Sequence, residues 1–143
     1  MKTLSAFFAE NALNQEIVKY AVSPRFVDPE TKEPIEWELQ PITSGEDEEI
    51  RKDCMKTVQV IGRKNQYERQ LNMDKYMTAL AVRCVTFPDL HNAELQDSYK
   101  VKGADALLNK MLLAGEKSDL LVKIQEICGF TETFDDLVDE AKN

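Results

Sequence analysis

The chain has 143 residues, 43% of them apolar and 31% charged, with a formal charge of −8; that length and balance predict one globular domain over 1–143 with one core. Such acidity argues against nucleic acid as the main partner, because phosphate binding needs concentrated Lys and Arg. No run approaches the roughly 20 apolar residues of a membrane span, and the opening MKTLSAFFAEN is too short and too quickly acidic for a signal peptide.

Leu4, Phe7 and Phe8 stand at helical spacing. They predict a short amphipathic helix docked on the domain, with a partner anchor as the alternative reading. Val18, Tyr20 and Val22 alternate within 16–22, and Ile35, Trp37 and Leu39 repeat the alternation before Pro41. Period two marks half-buried strands, and the intervening DPETKEP is rich in turn formers, so a hairpin with a long connection is expected. Ser44 is the expected N-cap of a helix through GEDEEIRKDCMK, whose early carboxylates suit the positive end of the helix dipole. TVQVI and QYERQL flank Gly62, Arg63, Lys64 and Asn65, the pattern of a second hairpin with a basic tip.

Helical spacing takes over at Asn72. Met73, Tyr76, Met77, Leu80, Ala81 and Cys84 form one face, and Ala79, Val82 and Val85 make the opposite face apolar too. This predicts a central helix running to Pro88, then a short helix over Leu95 to Tyr99 capped by Asp89 or Asn92. Ala104, Leu107, Leu108, Met111 and Leu112 make a further stripe; Leu120, Leu121, Ile124, Ile127 and Cys128 make another. With Gly115 and Gly129 as stops, these two helices are expected to pack as a hairpin. A last stripe, Phe134, Leu137, Val138 and Ala141, opens at Thr133. The fold class is therefore α+β: N-terminal β-hairpins over 1–71 and a mainly helical part over 72–143.

The sequence offers no pattern for catalysis. One histidine, His91, stands beside a helix cap, and a general base needs a nucleophile or a converging partner. The contiguous acids Glu46, Asp47, Glu48 and Glu49 point in different directions on a helix and cannot converge on one ion. Cys54, Cys84 and Cys128 are odd in number and widely spaced, which suits reduced thiols in a reducing compartment rather than a zinc site or paired disulfides. No catalytic residue, cofactor or metal is expected.

Several phrases, read together and in order, resemble a known family: FFAEN, PRFVD, IEWELQPITSGEDEEIRKDC, DKYMTALAVRCVTFPDLHNAELQDSY, and GADALLNKMLLAGEKSDLLVKIQEICGF with its continuation TETFDDLVDEAKN. This is similar to the XkdN-like tail assembly chaperones of long-tailed phages and of phage-like elements in bacterial chromosomes, over nearly the whole chain. The resemblance implies a non-enzymatic protein of the bacterial host cytoplasm that helps tails assemble and is absent from the finished particle. Its implied partners are the tape measure protein, a long and largely helical chain that must stay soluble, and possible further tail proteins. A longer frameshifted form of the chain itself is also implied, and Ala141-Lys142-Asn143 is encodable by an adenine run ending in C. The alternative is a structural tail component retained in the particle.

For the partner surface the sequence singles out two apolar residues that the stripes leave over. Leu113 lies off the stripe of Leu108 and Leu112, and Phe130 follows the helix-ending Gly129. Each has a plain alternative in core or cap packing.

Overall fold

The computed structural model describes residues 3–130. It contains small antiparallel sheets and five α-helices, the expected α+β mixture. Strands β1 (Val18–Tyr20) and β2 (Trp37–Leu39) pair antiparallel, Tyr20 opposite Trp37 and Val18 opposite Leu39. Trp37 and Leu39 point into the core and Glu38 points away from it, as the alternation requires.

Helix α1 (Ser44–Asp53) begins one residue earlier than expected at its cap: Thr43, not Ser44, accepts from the Glu46 N–H, and Glu46 reaches back to the Thr43 N–H. That reciprocal capping box explains why the acids cluster there. Strands β3 (Met55–Gln59) and β4 (Tyr67–Leu71) form the second hairpin, a two-stranded ribbon with Gly62 and Asn65 at positive φ in its tip. Most of the ribbon is exposed, Arg63 and Lys64 included.

Helix α2 (Met73–Cys84), capped by Asn72, is the hub on which α1, α4 and α5 pack. Tyr76, Leu80, Ala81 and Cys84 are buried on it. Polar ties hold its neighbours: Tyr76 donates to Asp47 of α1, Arg51 bonds Asp47 at 2.8 Å, and Lys117 of α5 donates to Thr78 at 2.8 Å.

The expected run of α2 to Pro88 is corrected by the structure. The helix stops at Cys84, and Val85–Phe87 turn out as strand β5, which adds to β2 to give the order β1-β2-β5. Val85 and Thr86 are β-branched and pack better on a pleated edge than in a helix turn. The register slips at Thr86, a bulge that leaves Val85 buried and Phe87 at the rim.

Asn92 caps α3 (Ala93–Ser98), while Asp89 accepts from the His91 N–H in the preceding turn. Helix α4 (Ala104–Met111) buries Leu107 and Leu108, and α5 (Ala114–Ile127) buries Leu120 and Ile124. Two details of the expected helical hairpin change. Gly115 lies inside the first turn of α5, the break falling instead at Leu112 and Leu113, and the two helices have α2 rather than each other as their main partner. The stripe from Phe134 to Ala141 lies outside the described residues. Among the buried apolar residues described, only Val22, Trp37, Leu39 and Cys54 precede Asn72.

Candidate partner-binding surfaces

The break between α4 and α5 is made by two extended leucines. Leu112 (φ −101°, ψ 143°) turns inward and is buried, and Leu113 (φ −71°, ψ 157°) turns outward, 61% exposed. The Leu113 N–H donates to Glu116 Oε1 at 2.8 Å, so the first turn of α5 is capped from within. Glu116 also accepts from Arg25 at 2.7 Å and from the hydroxyl of buried Ser23, and Arg25 donates in addition to the Met111 carbonyl at 2.6 Å. The loop before β2 is thereby fastened to the corner that presents Leu113. The Arg25 guanidinium, then the Ser23 hydroxyl and the Leu113 N–H, hold the Glu116 carboxyl down at about 2.

Arg25 also stacks over the Phe26 ring, 5.1 Å from its centroid, and Phe26 faces Trp37 at 6.3 Å. These rings begin an almost wholly apolar groove of about 200 Å³, continued by Phe87, Pro88, Leu95 and Tyr99. Ile35 and Met111 complete its lining. Leu113 is two residues beyond Met111, within about 8 Å of it by chain geometry. The exposed leucine thus lies a short step of chain from the Met111 edge of the groove, without lining it. No local window of residues signals it, since the lining comes from five separated segments and Phe87 by spacing reads as a helix end.

Phe130 sits differently. Gly129 at φ 85° ends α5 in a full Schellman turn: the Phe130 N–H donates to the Gln125 carbonyl at 3.0 Å and the Gly129 N–H to Glu126 at 3.1 Å. The ring folds back half-buried against the core, beside a cleft of about 250 Å³ lined by Ile42, Thr43, Ser44, Asp47 and Cys128. In that cleft Cys128 Sγ lies 3.8 Å from Cys84 Sγ. Hydrogen bonding from Cys84, helped by the Ile42 backbone, lowers the Cys128 thiol to about 7. Cys84 is raised by the same contact and by its burial.

The N-terminal segment departs from the expectation of a docked helix. Leu4–Phe7 form a 3-10 turn with no buried residue. Leu4 is 75% exposed, Phe7 80% and Leu13 95%, and Phe8 and Ile17 are half exposed. Its hydrogen bonds close on the segment itself, as in Asn11 N–H to Phe8 O at 2.9 Å and Asn11 Nδ2 to Ser5 O at 2.7 Å. Helical spacing identified the apolar face but carries no information on what covers it.

The acidic cluster diverges as expected. Glu46 pairs with Arg83 at 3.0 Å, Asp47 pairs with Arg51, and Glu48 and Glu49 face solvent. His91 is exposed. Among the described residues, no helix is long and apolar enough to cross a membrane.

A small α+β scaffold with an exposed leucine corner and an apolar groove has the kind of surface with which one protein contacts another. Comparison with known proteins makes the family specific. Residues 4–142 match the model of the phage XkdN-like tail assembly chaperone proteins, and the chain belongs to that family. It is 30% identical over 141 residues to the phage-like element PBSX protein XkdN of Bacillus subtilis (strain 168), covering 98% of this chain and 93% of that one. To the uncharacterized protein YqbN of the same organism it is 28% identical with the same coverage. The crystal structure of a protein named YqbN superposes with a TM-score of 0.75 at 24% identity, over 91% of this chain and 98% of that one, a likeness of fold.

Proposed function

We infer that this phage tail assembly chaperone binds the tape measure protein in the host cytoplasm, keeps it soluble until the tail is built around it, and is absent from the finished particle. It acts without catalysis. The observation that carries the reading is the Leu113 corner: an outward leucine on a cross-braced turn, two residues beyond the edge of an aromatic groove, on a member of a family named for tail assembly. A long helical client offers apolar residues at i, i+3 and i+4, which an apolar groove takes one segment at a time. The net charge of −8 keeps loaded complexes apart. Phe130 and its cleft form the second contact in this reading, at the far end of α5 from Leu113.

Co-expression with the tape measure gene of the same locus tests it. The client is expected in the soluble fraction and in a pull-down only when this chain is present; equal solubility without it would sink the proposal. Retention in the particle is read separately, by mass spectrometry of purified tails. Abundant peptides of this chain there would favour a structural component instead.

A further inference from the structure

Cys84 and Cys128 meet at the C-terminal ends of two helices that pack on each other, α2 and α5. Their sulfurs lie 3.8 Å apart across 44 positions of sequence, in contact and about 1.8 Å beyond the length of a disulfide bond. The two thiols are not equivalent. Cys84 is fully buried where α2 gives way to β5, whereas Cys128 is half-buried and lines the cleft with Thr43, Ser44 and Asp47. Cys128 also caps α5 just before Gly129 at φ 85°, so a shift of that final turn, rather than of the core, brings its sulfur onto Cys84. We propose that this pair is a reversible oxidation site: Cys128 is the thiol that reacts with a peroxide, and Cys84 resolves the product into a disulfide. The resting form is the reduced pair, as a reducing compartment requires. The site goes beyond the chaperone reading and does not depend on it.

The chemistry assigns the two roles. The Cys84 hydrogen bond holds Cys128 at about 7 against its burial, with help from the Ile42 backbone and opposition from Asp47, so near neutral pH about half of it is the nucleophilic thiolate. Cys84 stays a thiol: the Cys128 contact, burial and Glu46 all raise it, and Arg83 only partly offsets them. The Cys128 sulfur attacks one peroxide oxygen and the O–O bond breaks; hydroxide leaves, takes up the proton lost by Cys128 and becomes water. Cys128 is then a sulfenic acid. The Cys84 sulfur attacks it, the S–O bond breaks, and the hydroxyl departs as water with the Cys84 proton. Two thiols are oxidised by two electrons and one peroxide is reduced to two waters. Cys54 is buried and its thiol is raised by that burial, which keeps it out of the exchange. The new bond ties the end of α5 to α2 and fixes the turn that carries Phe130.

Peptide mapping of the full-length chain tests the site. Trypsin cuts after Lys52, Arg83 and Lys123, among other places, so the three cysteines fall in separate peptides. After hydrogen peroxide, a non-reducing map is expected to show the Cys84 and Cys128 peptides joined, Cys54 still a free thiol, and an intact mass of one chain less two hydrogens, all reversed by dithiothreitol. Cys84→Ser is expected to stop at the sulfenic acid, trapped on Cys128 by dimedone, and Cys54→Ser to match the wild type. Cys128→Ser should react with peroxide at least about 10-fold more slowly, since only protonated thiols remain. Thermal melts verify that each variant folds, and the oxidised wild type should melt about 5 °C or more above the reduced form, because a long loop has been closed. Three intact thiols in the treated wild type would overturn the proposal, as would a bond to Cys54, a bond between chains, or oxidation that ends on Cys128 without a disulfide. Unchanged melting would overturn the fastening of α5.

Discussion

Between Asn72 and Phe130, apolar residues at helical spacing fold inward onto α2 and supply most of the buried core. Between Thr3 and Ile17, residues with the same spacing stand in solvent. The difference lies in what each segment has to pack on. The helical half brings several stripes to one hub, so each covers another; the arm leads into an edge strand of three residues and meets no such surface. Stability therefore concentrates around α2, and exposed apolar surface concentrates in the arm, the groove and the Leu113 corner.

That division is open to measurement. Leu80→Ala, at a fully buried site on α2, should lower the unfolding free energy by about 2–5 kcal/mol in urea melts, and a cost under about 1 kcal/mol would break the claim that α2 is the hub. Phe130→Glu places a carboxylate where a half-buried ring packs, and a loss of about 1–3 kcal/mol is expected along with weaker client binding.

The Glu116 network sharpens the comparison through pH. Its carboxyl is lowered from an ordinary 4.5 to about 2 in the folded chain, so its contribution is present in full above 4.5 and is lost as pH falls through that window. Thermal melts should show the wild type losing more stability than Glu116→Gln between about pH 5 and pH 2. Equal losses would mean that the corner is not braced as described. The smallest expected stability effect is that of Leu113→Glu, within about 0.5 kcal/mol of wild type because the side chain is exposed, with client capture nevertheless reduced. Unchanged capture would remove Leu113 from the partner surface.

Much of this architecture was legible in the residues. Period-two alternation located β1 and β2, the basic tip located the ribbon, and the stripes at Tyr76, Leu107 and Leu120 located the helices that make the core. What escaped was information that no local window holds. Val85 to Phe87 read as a helix end because only their pairing with Glu38 and Leu39, far back in the chain, makes them a strand. Gly115 read as a stop because glycine disfavours helix interiors, yet the Glu116 cap beside it starts α5 instead. Of the two leftover apolar residues, Leu113 is exposed and Phe130 is committed to a Schellman turn, a distinction that depends on three-dimensional covering rather than on spacing.

The bulged strand β5 also bears on the order in which the molecule is made. Thr86 reaches Glu38 across 48 positions of sequence, so during synthesis the first two strands leave the ribosome long before their third exists. A hairpin of two three-residue strands is marginal alone. The N-terminal strands therefore wait, unfixed, until α2 and β5 have followed them out, and through that interval the leading aromatic pair, Phe7 and Phe8, is already clear of the ribosome.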